Sequence, residues 1–219
     1  MIFWILGSFI FGIFVPYTAR RFAKFMPSTF AVALVEIFRK PQTTPKTRQH
    51  KLYRKLLWRS FLFGMINSII CTLIIYNFKN YNFIIIYTWI LLLLAEIDYR
   101  MLLLPDILTF PLLLIGLTAS INNSGIVPIE ASVLGALIGY FLPILASLLI
   151  VWRKKNALGG GDIKLLSAIG AWLGVEGLFY VVVCASILGI IWALIIRKHS
   201  LAFGPMLAIS GIIISFIIN

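Results

Sequence analysis

Four of the seven acidic residues in this chain, Glu96, Asp98, Asp106 and Asp162, lie at or near the ends of apolar runs that the placement of Lys and Arg puts on one membrane face. Ionisable groups at membrane depth are costly to bury and usually mark function. Two carboxyl groups brought within hydrogen-bonding distance cannot both ionise easily, so the pair tends to hold one proton. The ionised member can draw a proton from water while the protonated member polarises a peptide carbonyl. That is peptide hydrolysis without a metal or a covalent intermediate, and its titration belongs to the pair.

The positions of these acids differ. In "LLLLAEIDYRMLLLPDILTFP", Asp98 ends one apolar run, and Pro105-Asp106 opens the next. An acid at a helix start can accept orphan backbone N–H bonds, a structural role that suits Asp106. Glu96 lies two residues before Asp98, about 200° away around a helix, so the two cannot face one partner. Glu96 then faces a neighbouring helix or reaches outward. Asp162 follows Gly159-Gly160-Gly161 and opens another apolar run. A cap after a turn needs fewer glycines. Glycine also lets another chain approach closely, and an extended substrate could pair with the exposed N–H and C=O groups of such a turn. Glu36 falls in a basic loop, and Glu130 and Glu176 in connections, where solvation or nearby cations account for them.

The elements that must position these acids are apolar helices. Of 219 residues, 61% are hydrophobic, against about 45–50% in a soluble domain. Eight apolar segments recur, at roughly 1–18, 60–78, 82–98, 106–121, 131–152, 163–175, 177–196 and 201–218. Their lengths approach that of a membrane-spanning helix. The alternating ten-residue segments of a membrane barrel are absent. The expected fold is therefore an all-α polytopic membrane helix bundle of about eight transmembrane helices. Residues 1–59 form a first span plus a basic loop, and 60–219 a membrane-embedded domain.

Lys and Arg orient the chain. Residues 19–59 hold eleven of the nineteen, and the connections carrying Arg100, Arg153, Lys154, Lys155, Lys164, Arg197 and Lys198 fall on the same side of an eight-span scheme. Only Lys79 falls opposite. The basic side faces the cytoplasm by the positive-inside rule, which puts both termini outside. The net charge of +12 then serves topology and anionic lipid headgroups, each nearby cation being worth about 1 kcal/mol. Nucleic-acid binding would need basic residues interleaved with exposed aromatics on a soluble module, and none is visible. The first segment lacks a basic start and a small-residue cleavage site, so it reads as an uncleaved span. Cys71 and Cys184 form no CxxC pair and read as small packing residues. His50 and His199 read as surface residues.

Asp98, the stretch Leu104-Pro105-Asp106 with Leu108-Thr109 and Pro111, and Gly159-Gly160-Gly161-Asp162 with Lys164-Leu165 resemble the type IV prepilin leader peptidases. These are intramembrane aspartic proteases of the GxGD class. "AFGPMLAISG" at 202–211 is similar to the family's last span. The resemblance implies Asp98 and Asp162 as the catalytic aspartates, with Pro105, Asp106, Gly159, Gly160, Gly161 and Lys164 as supporting motif residues. It implies removal of a short basic leader from prepilins or pseudopilins, after a glycine, at the cytoplasmic face of the bacterial inner membrane. It implies no cofactor for proteolysis, and S-adenosylmethionine only if N-methylation of the new terminus is retained. Residues 19–59 lack the two CxxC pairs of longer members, so no zinc is expected. "LGSF" at 6–9 resembles the start of the first-span motif, but the asparagine that should follow is missing.

A proton-coupled transporter using the same acids as a relay is the alternative, and it would show ion flux without cleavage. Broken spans in matching positions of two halves would mark it, and none is visible. An inactive assembly factor would hold a pilin without cutting it.

Overall fold

A computed structural model describes residues 1–25, 46–151, 159–196 and 202–218. Most of the basic loop, including Glu36, and the connections with Arg153, Lys154, Lys155, Arg197, Lys198 and His199 lie outside these residues. Seven helices occur among the described residues: α1 (Ile2–Phe25), α2 (Lys46–Asn77), α3 (Tyr81–Met101), α4 (Asp106–Ile121), α5 (Ile129–Val151), α6 (Gly160–Ile196) and α7 (Gly204–Ile218). Helices α1, α2, α3, α5 and α6 are long and apolar enough to cross a membrane, and α4 and α7 are shorter apolar helices. The chain is an all-α, multi-pass membrane protein. It divides into two compact units, Met1–Tyr76 and Asn77–Asn219.

In the first unit, α1 lies against α2 through small and polar residues. A Cβ on Gly12 would stand 2.7 Å from the Gly64 Cα, so the two backbones touch there. Asn67 Nδ2 donates to the Ser8 carbonyl at 2.7 Å, and Ser68 Oγ to that of Ile5 at 3.4 Å. Cys71 is a buried free thiol whose Sγ lies 3.5 Å from the Trp4 carbonyl. Small residues and interhelical hydrogen bonds hold helices together where lipid removes the hydrophobic drive.

The second unit is built around the first half of α6. Its residues Leu165, Ala168, Ile169, Ala171, Trp172 and Leu173 are almost fully buried. Trp172 stacks obliquely on Tyr87 of α3, with ring centroids 4.8 Å apart, and donates through Nε1 to the Leu112 carbonyl of α4 at 2.8 Å. Helix α5 crosses closely. The Gly135 and Gly170 backbones meet, Gly139 lies on the Leu166 carbonyl, Ser132 Oγ donates to the Ala171 carbonyl, and Ser167 Oγ donates to that of Ala136 at 2.9 Å.

Eight apolar segments became seven helices because segments six and seven join without a loop. The join is Gly174, at φ 69° and ψ −171°. Neighbours show that the chain reverses there. Gly211 of α7 lies beside Ile169 and Tyr87, while Gly177 lies beside Ile218 and Gly189 beside Phe203. Helix α7 therefore runs parallel to the first leg of α6 and antiparallel to the second. A straight helix from Gly160 to Ile195, 36 residues, would be about 54 Å long, nearly twice the roughly 30 Å hydrocarbon core. Folding it at one residue makes two crossings. The backbone of Gly174 occupies a region open essentially to glycine alone, with a strain of about 1–3 kcal/mol for other residues. A Cβ there would meet its neighbours at an ordinary 3.5 Å. Gly174→Ala should therefore lower stability by about 1–3 kcal/mol through backbone strain alone. Thermal unfolding of the purified protein in detergent measures it, and an unchanged midpoint would contradict the assigned conformation.

Candidate active site

The helix directions of the second unit bring four helix ends together: the end of α3 and the starts of α4, α6 and α7. Asp98 belongs to the first, Asp106 to the second, Asp162 to the third and Gly204 to the fourth.

Asp98 faces inward on α3. Tyr87, Leu91 and Leu94 occupy the same stripe at helical spacing and are fully buried, consistent with the 3.6-residue period. Asp98 itself is 4% exposed. Its Oδ2 accepts the backbone N–H of Gly204 at 2.9 Å, across 106 residues of sequence. Helix α3 stops soon afterwards at Leu102, which takes a left-handed conformation (φ 54°) and donates its N–H to the Asp98 carbonyl at 2.8 Å. Such a conformation is rare for a residue with a side chain and is tolerated where surroundings enforce it.

Asp162 sits in the first turn of α6 and is partly buried, with its N–H on the Gly159 carbonyl at 3.0 Å. Asp162 lies within charge–charge range of Asp98. The three glycines before it differ in their surroundings. A Cβ on Gly161 would press on Leu104 Cβ at 2.8 Å, so this glycine lets the Leu102–Pro105 link lie against α6. A Cβ on Gly159 would come 3.2 Å from Asp162 Oδ2. A Cβ on Gly160 would meet nothing within 4 Å. Gly159 and Gly160 are both exposed.

Asp106 does not cap its helix. The cap position is Pro105, which makes no side-chain cap bond, and Asp106 is the first helical residue. Its carboxylate instead meets Lys164 Nζ at 2.7 and 2.6 Å. A cation two residues beyond Asp162 competes better for this carboxylate than water-exposed N–H groups do. Lys164 is about 200° around α6 from Asp162, so the pair tethers the side of α6 turned away from Asp162. Both members are well exposed, and a pair in that setting contributes little stability by itself. Glu96 is buried and pairs with Arg100, Oε1 lying 2.8 Å from Nε and 2.5 Å from Nη2. It faces away from the Asp98 side of α3, as the two-residue offset predicts. Glu130 and Glu176 are exposed. Among the described residues, no three His, Cys, Asp or Glu side chains gather in a way that could hold a metal ion.

Gly204 is the site residue whose role the sequence did not reveal. The signal was present in Gly204-Pro205. A proline near a helix start marks where N–H groups are free of the helix ladder, and Pro205 itself has no N–H to offer.

The fold and site thus define a multi-pass helical membrane protein carrying two aspartates, Asp98 and Asp162, at one end of its helical bundle. The sequence profile described as the type IV leader peptidase family matches residues 85–194, which include both aspartates. The chain belongs to that family. Proteins named prepilin leader peptidase/N-methyltransferase are similar to it. The one from Dickeya chrysanthemi is 45% identical over 130 residues, covering 54% of this chain and 44% of the relative. The one from Neisseria gonorrhoeae is 38% identical over 135 residues, covering 59% and 46%. The one from Xanthomonas campestris pv. campestris is 34% identical over 172 residues, covering 71% and 58%. The chain spans about half the length of the curated relatives it matches. No solved structure matches it.

Proposed function

We propose that this chain is an intramembrane aspartic endopeptidase that removes the basic leader from type IV prepilins or pseudopilins, with Asp98 and Asp162 as its catalytic carboxyls. The observation that carries this reading is the meeting of the two aspartates, from the end of α3 and the start of α6, within electrostatic reach of each other. Membership of the type IV leader peptidase family supports it. The chemistry is attack by water on a peptide carbonyl between two carboxyls that share a proton. It needs no cofactor. S-adenosylmethionine enters only if the new terminus is methylated, and no residue described above marks a methyl-donor site.

Cleavage occurs after a glycine at the cytoplasmic face of the bacterial inner membrane, with both termini of the chain outside the cytoplasm. The distribution of Lys and Arg supports this orientation. Within the second unit, Arg100 and Lys164 accompany the aspartates, whereas Lys79 precedes the opposite end of α3. The exposed backbone at Gly159 and Gly160 beside Asp162 suits the approach of an extended peptide. Pro105, Asp106, Gly161 and Lys164 support the dyad by fixing the starts of α4 and α6. The basic residues of 19–59 meet lipid headgroups rather than the basic leader, which they would repel. Neither nucleic acid nor zinc is a partner in this reading.

Co-expression with a cognate prepilin tests the proposal. Mass and N-terminal sequencing of the pilin should show loss of the leader and a new terminus directly after a glycine. A pilin that keeps its full leader would overturn the reading.

A further inference from the structure

Asp98 and Asp162 are not equivalent in their surroundings. Asp98 Oδ2 receives a backbone N–H from the first residue of α7, whereas no hydrogen bond to the Asp162 carboxylate occurs among the described residues. The donor is tightly built in. Gly204 is buried, and a Cβ on it would stand 2.6 Å from Asp98 Oδ2 and 2.9 Å from Cγ. Its N–H has no helical partner to lose. The first turn of α7 is closed by the Met206 and Leu207 N–H groups, both bonded to the Phe203 carbonyl at 3.0 and 3.1 Å. Because residue 205 is proline, Gly204 offers the carboxylate a single donor at this position.

We propose that Gly204 is a positioning residue whose main-chain N–H fixes Asp98 as the base of the pair and leaves Asp162 as the acid. The inference rests on the peptidase reading above. A backbone donor at a helix N-terminus favours a charged carboxylate over a neutral carboxyl. It also locks Oδ2 in place and leaves Oδ1 as the working oxygen. In the forward step, Asp98 takes a proton from water as the water oxygen bonds to the peptide carbon. Asp162 gives its proton to the carbonyl oxygen, forming a neutral gem-diol. Asp98 then returns its proton to the peptide nitrogen, the C–N bond breaks, and one diol hydroxyl reprotonates Asp162. The products are a carboxylic acid and an amine, and the pair is restored.

The test deletes the N–H without adding bulk. Glycolic acid is incorporated at position 204 by cell-free synthesis into liposomes, replacing one amide with an ester, and Gly204→Ala is made in parallel. Cleavage of a synthetic prepilin peptide is followed for each, with retained folding checked by thermal unfolding. The ester variant should lose about 10–100-fold in kcat with KM within about twofold of wild type, the size of one hydrogen bond to a charged group. Gly204→Ala should lose more, because its Cβ displaces the carboxylate. If Asp98 were the acid instead, losing an anion-favouring donor would leave kcat unchanged or raise it, and that result overturns the assignment. A rise in KM at unchanged kcat also overturns it. A wild-type enzyme that leaves the peptide intact sinks the peptidase reading itself, a distinguishable result.

Discussion

Asp98→Asn and Asp162→Asn should each reduce leader removal by about 10³-fold or more, while membrane insertion and the thermal midpoint stay near wild type. A positioned general acid or base typically contributes about 10²–10⁴-fold, and members of a catalytic unit fail together rather than additively. Asparagine preserves the shape of the carboxylate but can neither take a proton from water nor give one to a carbonyl. The Gly204 N–H can still reach an asparagine oxygen, so the α3–α7 contact survives in Asp98→Asn. Glu130→Gln is the matching control, because that exposed acid lies in the first turn of α5, at the other end from the dyad. Quantitative mass spectrometry of processed and unprocessed prepilin gives the ratio. Full processing by either asparagine variant would remove that carboxyl from the mechanism.

Gly170→Val should destabilise the second unit by about 3 kcal/mol, the upper part of the range for overpacking. At Gly170 any Cβ would run into the Gly135 backbone of α5, which cannot rotate away as a side chain could. The helices must separate, and separation breaks the hydrogen bonds from Ser132 and Ser167 to α6 and α5 carbonyls. The first leg of α6 also carries Asp162, so activity should fall with stability. Gly160→Ala offers the contrast. With nothing within 4 Å of its Cβ, it should leave the unfolding midpoint unchanged. Unfolding of both variants in one detergent compares them directly, and equal midpoints would contradict the close crossing.

Much of this architecture is written in the sequence because lipid leaves few options. Apolar runs must be helices, and their edges show where charge resumes. The inward stripe Tyr87, Leu91, Leu94 and Asp98 keeps helical spacing, but the unbroken apolar run from Trp89 to Ala95 does not single it out. The fold-back at Gly174 was half legible. Glu176 signalled a polar point between two apolar segments, but nothing in "WLGVEG" announced that a single residue would turn the chain. Asp106 was ambiguous because a carboxylate at a helix start can serve the backbone or a distant cation. Choosing Lys164 requires knowing that α4 and α6 begin side by side. The triplet Gly159-Gly160-Gly161 read as one flexible stretch, whereas packing against Leu104 constrains only its last member. The tie between Asp98 and Gly204 was least legible, since a backbone donor leaves no side-chain signature.

Helices α4 and α7, of 16 and 15 residues, and the first leg of α6 are only about 21–24 Å long at 1.5 Å per residue. An undisturbed hydrocarbon layer measures roughly 30 Å. Lipid beside α4, whose Ile107, Phe110 and Leu114 are exposed, must dimple inward, or the polar ends of these short segments must sit beneath the headgroups, at a modest energetic cost for each ångström of mismatch. Either adjustment carries the interfacial water layer down to the start of α6. The proposed hydrolysis would then draw its water from a local thinning of the bilayer.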